Sequence, residues 1–219
     1  MLVKIKLVFF VFIISLTTIQ AQFKLKQGDL LFQDLDTDSI ANAIEKVTKT
    51  ILPYNFTHVG IVVKKNGKLK VLEAVSSGVQ LTSIETFLKR NLVNNKPKVV
   101  AARLKSEFKP FIKKAIKYGE TLIGLSYDNA YTIGDNSYYC SELVYEMFHN
   151  ADPNKETFQL KPMTFKDSST NKTLDFWVEY YQRLQTKIPE GELGINPNGM
   201  SVSPNIILMY DYYLAKKLN

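Results

Sequence analysis

The segment FTHVGIVVKKNGKLKVLEAV, Phe56 to Val75, constrains this chain more than any other. Two runs rich in valine, isoleucine and leucine flank Asn66-Gly67, a pair suited to the positive φ angles of a two-residue type I′ turn. A hairpin centred there makes cross-strand partners sum to 133, so Lys64 faces Leu69, Val62 faces Val71 and Gly60 faces Glu73. Alternate residues of a strand share a sheet face with the residues opposite them. His58 therefore shares a face with Gly60 and Glu73, and is the diagonal neighbour of Glu73. Such diagonals lie about 7–8 Å apart at Cα, within side-chain reach. The other face, Val59, Ile61, Val63, Leu72 and Ala74, is apolar and turns to a core. A slip of one residue would destroy this arrangement.

Around the hairpin the pattern alternates between strands and helices. Lys26 to Leu35 reads as a turn and a short buried strand. A helix follows, capped by Asp38 or Ser39, with Ile40, Ile44, Val47 and Ile51 on one face and Pro53 ending it. After the hairpin come a strand and a short helix, with Thr82 and Glu85 spaced as a capping box, then a strand over Lys98 to Leu104. Ser106 to Leu122 is helical by pattern, with Pro110 in its first turn and Gly124 past its end. SYYCSELVYEMFHN is a strongly amphipathic helix. LDFWVEYYQRLQ gives one later helix, and NIILMYDYY a last strand. Without internal repeats or low-complexity linkers, the expectation is one α+β domain.

Within the amphipathic helix, Cys140, Leu143, Val144, Met147 and Phe148 recur at i, i+3, i+4, i+7 and i+8, on the inward face. Ser137 as N-cap would place Cys140 in the first turn, where the helix dipole and free N–H groups favour a thiolate. A small buried hydrophobe is the plain alternative. Cys140 is the only cysteine of 219 residues, so no intrachain disulfide or cysteine-rich zinc site can form. With a use for the thiol, Cys140 attacks a carbonyl, His58 shuttles the proton, Glu73 fixes the imidazole, and the N–H of Cys140 receives the oxyanion. A glutamate inside the apolar strand around it needs such a partner.

Residues 1–21 read as a secretory signal: Lys4 and Lys6, an apolar run from Leu7 to Leu16, and small Ala21 at the cleavage point. The run is too short for the ~20 residues a spanning helix needs, and no nearby cysteine suggests a lipid anchor. The expectation is export, to the periplasm or medium, of residues 22–219. The formal charge of +7 falls to about +5 without the two leader lysines, and the remaining lysines are scattered. That speaks for a solvated, mildly basic surface, compatible with peripheral contact at an anionic cell envelope, and against nucleic acid. Two histidines and one cysteine do not supply a histidine- or cysteine-rich metal site.

GDLLF, THVGIVV, VLEAV and YYCSELVYEMF, in that order, resemble the circularly permuted NlpC-like papain-fold hydrolases, the YiiX-like group, in which histidine and acid precede the cysteine. The likeness runs from Gly28 to Phe148, and KPMTF and IPEGELGINPNGMS resemble the tail of bacterial members. It implies a papain-like α+β fold, an antiparallel sheet or small barrel packed against helices. It also implies a Cys-His-Glu site at Cys140, His58 and Glu73, and hydrolysis of amide or ester bonds in wall peptides or lipid-like acyl substrates, with no cofactor or metal. Two other readings stay open: a non-catalytic module binding wall fragments or lipids, and an acyltransferase using the same three residues. Tyr138, Tyr139 and Asp29 are secondary candidates for lining the site. His149 is read as a helix C-terminal residue complementing the dipole, Asp128 as an organiser of the loop before the cysteine helix, and Phe176, Trp177, Tyr180 and Tyr181 as packing.

Overall fold

The computed structural model describes residues 23–35, 39–48 and 54–218. The expected signal segment, Asp38, Ile51 and Pro53 lie outside the described residues. In chain order the elements are β1 (Leu30–Gln33), α1 (Ser39–Val47), β2 (His58–Lys65), β3 (Lys68–Val75), β4 (Gly78–Ser83), α2 (Ile84–Lys89), β5 (Leu92–Val93), β6 (Lys96–Pro97) and β7 (Val99–Leu104). A 3₁₀ turn (Ser106–Phe111) leads into α3 (Ile112–Thr121), then α4 (Cys140–Ala151), β8 (Lys161–Pro162), α5 (Asp175–Arg183), β9 (Leu193–Gly194), α6 (Pro197–Ser201), β10 (Ile206–Asp211) and β11 (Lys216–Lys217).

Seven strands form one antiparallel sheet in the order β11-β10-β7-β1-β2-β3-β4. Of the two forms expected, an open sheet is the one found: β4 and β11 are its edges. The hairpin has the register that Asn66-Gly67 dictates, with Ile61 opposite Leu72, Val62 opposite Val71 and Lys64 opposite Leu69. Asn66 and Gly67 both take positive φ, 51° and 78°. Strand β3 pairs on its other side with β4, Glu73 opposite Gln80 and Val71 opposite Thr82.

One sheet face (Val59, Ile61, Val63, Leu72, Ala74, with Leu30 and Phe32) packs on Ala115 and Ile116 of α3 and Leu143, Val144 and Met147 of α4. The other face carries a smaller cluster, Leu31, Val62, Val71, Val99 and Ala101, roofed by Phe87 of α2. A third cluster joins Ala43 of α1 to Phe165, Trp177 and Tyr181. Burying each large side chain in these clusters contributes about 1.5–3 kcal/mol relative to exposure.

Helix boundaries depart from expectation at three places. α2 is capped by Ser83, which accepts from Thr86 N at 3.0 Å, so Thr82 is free of capping duty. Pro110 interrupts the α pattern, and Ser106–Phe111 is 3₁₀ before α3 starts. The N-cap of α4 is Tyr139, not Ser137, and Ser137 bonds Asp135 instead. That shift makes Cys140 the first residue of the helix.

Candidate active site

Cys140, His58 and Glu73 converge. His58 Nε2 lies 2.6 Å from Glu73 Oε2, and the Cys140 side chain is near enough to act on the His58 ring. Nε2 being engaged by the carboxylate, Nδ1 is left for the sulfur. Cys140 belongs to the cluster on one sheet face, whereas the His58 ring lies 5.7 Å from that of Phe87 on the other. The thiol–imidazole contact is therefore made around the end of the sheet, where His58 begins β2. Only Gly60 could stand opposite Glu73: a Cβ there would collide with Val71 Cγ1 and lie 3.3 Å from Glu73 Cβ.

Glu73 is fully buried and held by more than the histidine. Arg90 grips it with two hydrogen bonds, Nη1 to Oε2 at 2.9 Å and Nη2 to Oε1 at 2.6 Å, and Thr82 Oγ1 donates to Oε1. Burial pushes the Glu73 carboxyl up, but the hydrogen bonds from His58 and Arg90 and their charges outweigh it and hold it at about 2. For His58, burial pushes the imidazole down. Its hydrogen bonds to Cys140 and Glu73, and the charges of both, win and raise it to about 9. The carboxylate of Glu73 thus favours the protonated form of the ring. Sequence reasoning missed Arg90 and Thr82. The turn at Ser76 to Gly78 held the signal: it sets Val71 opposite Thr82, which brings Thr82 diagonal to Glu73.

At the start of α4 the first intrahelical bond runs from Leu143 N to Tyr139 O, so the N–H groups of Cys140 and Ser141 precede the ladder. Glu142, fully buried, accepts from Tyr139 N and Gly134 N, both at 3.3 Å. Its burial outweighs those bonds and raises its carboxyl to about 8. Asp128 organises the preceding loop by accepting from Ala130 N at 2.7 Å and Thr132 N at 2.6 Å. Asn198 does the same for the approach to His58, accepting from Phe56 N at 2.6 Å and donating to Thr48 O at 2.8 Å.

A cavity of about 940 Å³ opens at Cys140, lined chiefly by Tyr131, Met163, Phe165, Trp177, Ile195 and Pro197. Its rim is pinned to the cysteine helix by Ser141 Oγ donating to Ile195 O at 3.0 Å and Ile195 N donating to Tyr139 OH at 3.2 Å. Of the secondary candidates, Tyr139 lines this cavity. Tyr138 is buried in the core cluster that Tyr118 packs against and lines neither this cavity nor the one beside His58. Asp29 is away from both, clamped by Arg103 Nε at 2.7 Å and Nη2 at 2.8 Å. It therefore secures β1 to β7. Trp177 packs as expected and also walls the cavity. His149 is exposed and stacks on Tyr145.

A papain-like fold rebuilt in permuted order, with a helix-tip thiol beside an imidazole, defines the class: a thiol-dependent amidase or peptidase. Residues 24–210 match the family described as permuted papain-like amidase enzyme, YaeF/YiiX, C92 family, and the chain belongs to it. The uncharacterized protein YiiX of Escherichia coli (strain K12) is 26% identical over 182 residues, 82% of this chain and 83% of that protein. The crystal structure of the metalloprotein YiiX from Escherichia coli O157:H7 superposes with a TM-score of 0.70 at 23% identity, over 87% of this chain and 99% of that one. Among the described residues of the present chain, no group of three or more His, Cys, Asp and Glu side chains converges to hold a metal ion.

Proposed function

We propose that this chain is an exported cysteine hydrolase that cleaves the amide or ester bond of an acylated, lipid-like substrate. Cys140 is its nucleophile, His58 its acid–base and Glu73 the group that orients His58. The carrying observation is that Cys140 borders a cavity walled by Tyr131, Phe165 and Trp177 while its side chain acts on the His58 ring behind it. A mainly apolar cavity favours a hydrocarbon acyl group over a charged wall peptide. The leader at residues 1–21 supports export.

His58 carries the proton given up by the Cys140 thiol as the sulfur attacks the scissile carbonyl carbon, whose π electrons move to oxygen, and helix-start N–H groups receive the oxyanion. Collapse breaks the bond to the leaving nitrogen or oxygen, which keeps the bonding pair and takes the proton from His58. The product is a thioester on Cys140. His58 then takes a proton from water, the hydroxide adds to the thioester carbon, and the fatty acid leaves as sulfur regains the proton.

Incubation with p-nitrophenyl dodecanoate tests this. A dodecanoyl mass increment on Cys140, absent in Cys140→Ala, and a loss of turnover of about 10²–10⁴ in His58→Ala are expected. Absence of any adduct, with dodecanoate still bound by Cys140→Ser, would make the chain a binding module instead.

A further inference from the structure

Cys140 and His58 border different spaces. The apolar cavity is lined by Cys140 but not by His58. A second cavity, about 1090 Å³, is lined by His58 but not by Cys140. Ile44, Thr57, Tyr127 and Tyr131 line both and form the partition. On the His58 side the lining gains the polar side chains of Ser76, Asn129 and Arg90.

Acylation of a thiol requires the carbonyl carbon at the sulfur and the departing atom within reach of the proton it takes. Since the sulfur borders one space and the imidazole the other, the scissile bond lies at the partition and the two halves of the substrate lie apart. We propose that the second cavity is the leaving-group subsite and selects, through Arg90, an amine or alcohol that carries an anionic oxygen group. This rests on the cysteine-hydrolase reading above.

Arg90 is suited to that double position. Its grip on Glu73 uses two of the five donors of a guanidinium. Its side chain keeps 26% exposure while Glu73 has none, and Arg90 is among the residues that line the cavity. A planar guanidinium edge matches a carboxylate or phosphate. Glu73 neutralises Arg90, so the trio carries one net positive charge while His58 holds its proton. Donation of that proton to the departing atom discharges the trio and loosens its hold on the anionic product.

Three substrates with one acyl chain test the inference: N-dodecanoyl glycine, N-dodecanoyl 2-aminoethyl phosphate and N-dodecanoyl ethanolamine. The carboxylate and phosphate arms separate the two sources of anionic oxygen. Hydrolysis of at least one anionic amide with kcat/KM about tenfold above the neutral one is expected, as one charge-assisted hydrogen bond would give. Ser76→Asp should shrink that ratio several-fold and Ser76→Lys widen it. A neutral amide cleaved as fast as the anionic ones, or no amide cleaved, overturns the subsite even where p-nitrophenyl dodecanoate still acylates Cys140. Failure of that ester to acylate Cys140 removes the hydrolase reading itself, and the subsite with it.

Discussion

Arg90 meets Glu73 end-on, each Nη atom bonded to a different carboxylate oxygen at 2.9 and 2.6 Å, while His58 takes Oε2 from the other side at 2.6 Å. One buried acid thus ties the end of α2 to the first residue of β2.

Removing that grip exposes what it does. Arg90→Gln should cost about 1.5–3 kcal/mol of stability, the range for hydrogen bonds to a charged group, read from urea unfolding. The carboxyl of Glu73 should titrate higher, so the acid limb of the kcat/KM profile moves to higher pH. Arg90→Lys restores the charge but not the fork, and should recover the acid limb better than the maximal rate. A profile unchanged in both variants would show that Arg90 does not act through Glu73.

The histidine can be followed directly, since the chain has two and the other, His149, is exposed. A folded-state value raised from 6.5 to about 9 means protonated His58 stabilises the fold. That contribution is complete below about pH 6.5 and is lost as pH rises through about 9. In Glu73→Gln the ring titration, read by NMR, should move down from about 9, and the stability loss over that window should shrink. Equal ring titrations in both proteins would contradict the role given to Glu73.

Gly60→Ala tests the close approach across the hairpin. The new methyl group would strike Val71 Cγ1 and crowd Glu73 Cβ at 3.3 Å, an overpacking that costs about 1–3 kcal/mol. Adding Val71→Ala makes room, so the double variant should lose less than the two single losses combined. Strict additivity in unfolding measurements would refute the contact.

Glu142 offers a pH test away from the reacting atoms. A carboxyl raised from 4.5 to about 8 leaves the folded state holding a proton that the unfolded chain has released. Stability from this group is complete below about pH 4.5 and falls until about pH 8. Glu142→Gln cannot ionise, so its pH–stability curve should be flatter across that window, whatever its absolute offset. A curve parallel to the wild type would mean Glu142 is ionised in the fold at neutral pH.

Much of the site was legible because a two-residue turn propagates its geometry. Asn66-Gly67 fixes the hairpin register, and the register alone puts His58 and Glu73 on one face. The helical spacing of Cys140, Leu143 and Val144 was equally plain. Illegible were contacts decided by competition between local options. Thr82 and Ser83 both suit a helix N-cap, and Ser83 takes the cap because Thr82, opposite Val71, points to Glu73. Ser137 suits the start of α4 better than Tyr139 by propensity, yet buried Glu142 at the third helical position bonds Tyr139 N and sets the start there. The two cavities were beyond reach, since their walls gather residues from position 35 to position 199.

The permuted order has a temporal consequence. His58, Glu73, Thr82 and Arg90 all lie between positions 58 and 90, on a hairpin, its third strand and the next short helix, whereas Cys140 emerges from the ribosome fifty residues later. During synthesis the imidazole and its anchored acid can be in register before the Cys140 thiol exists. The thiol comes beside the imidazole only when α4 docks, so the pairing follows the assembly of the hairpin and its anchors.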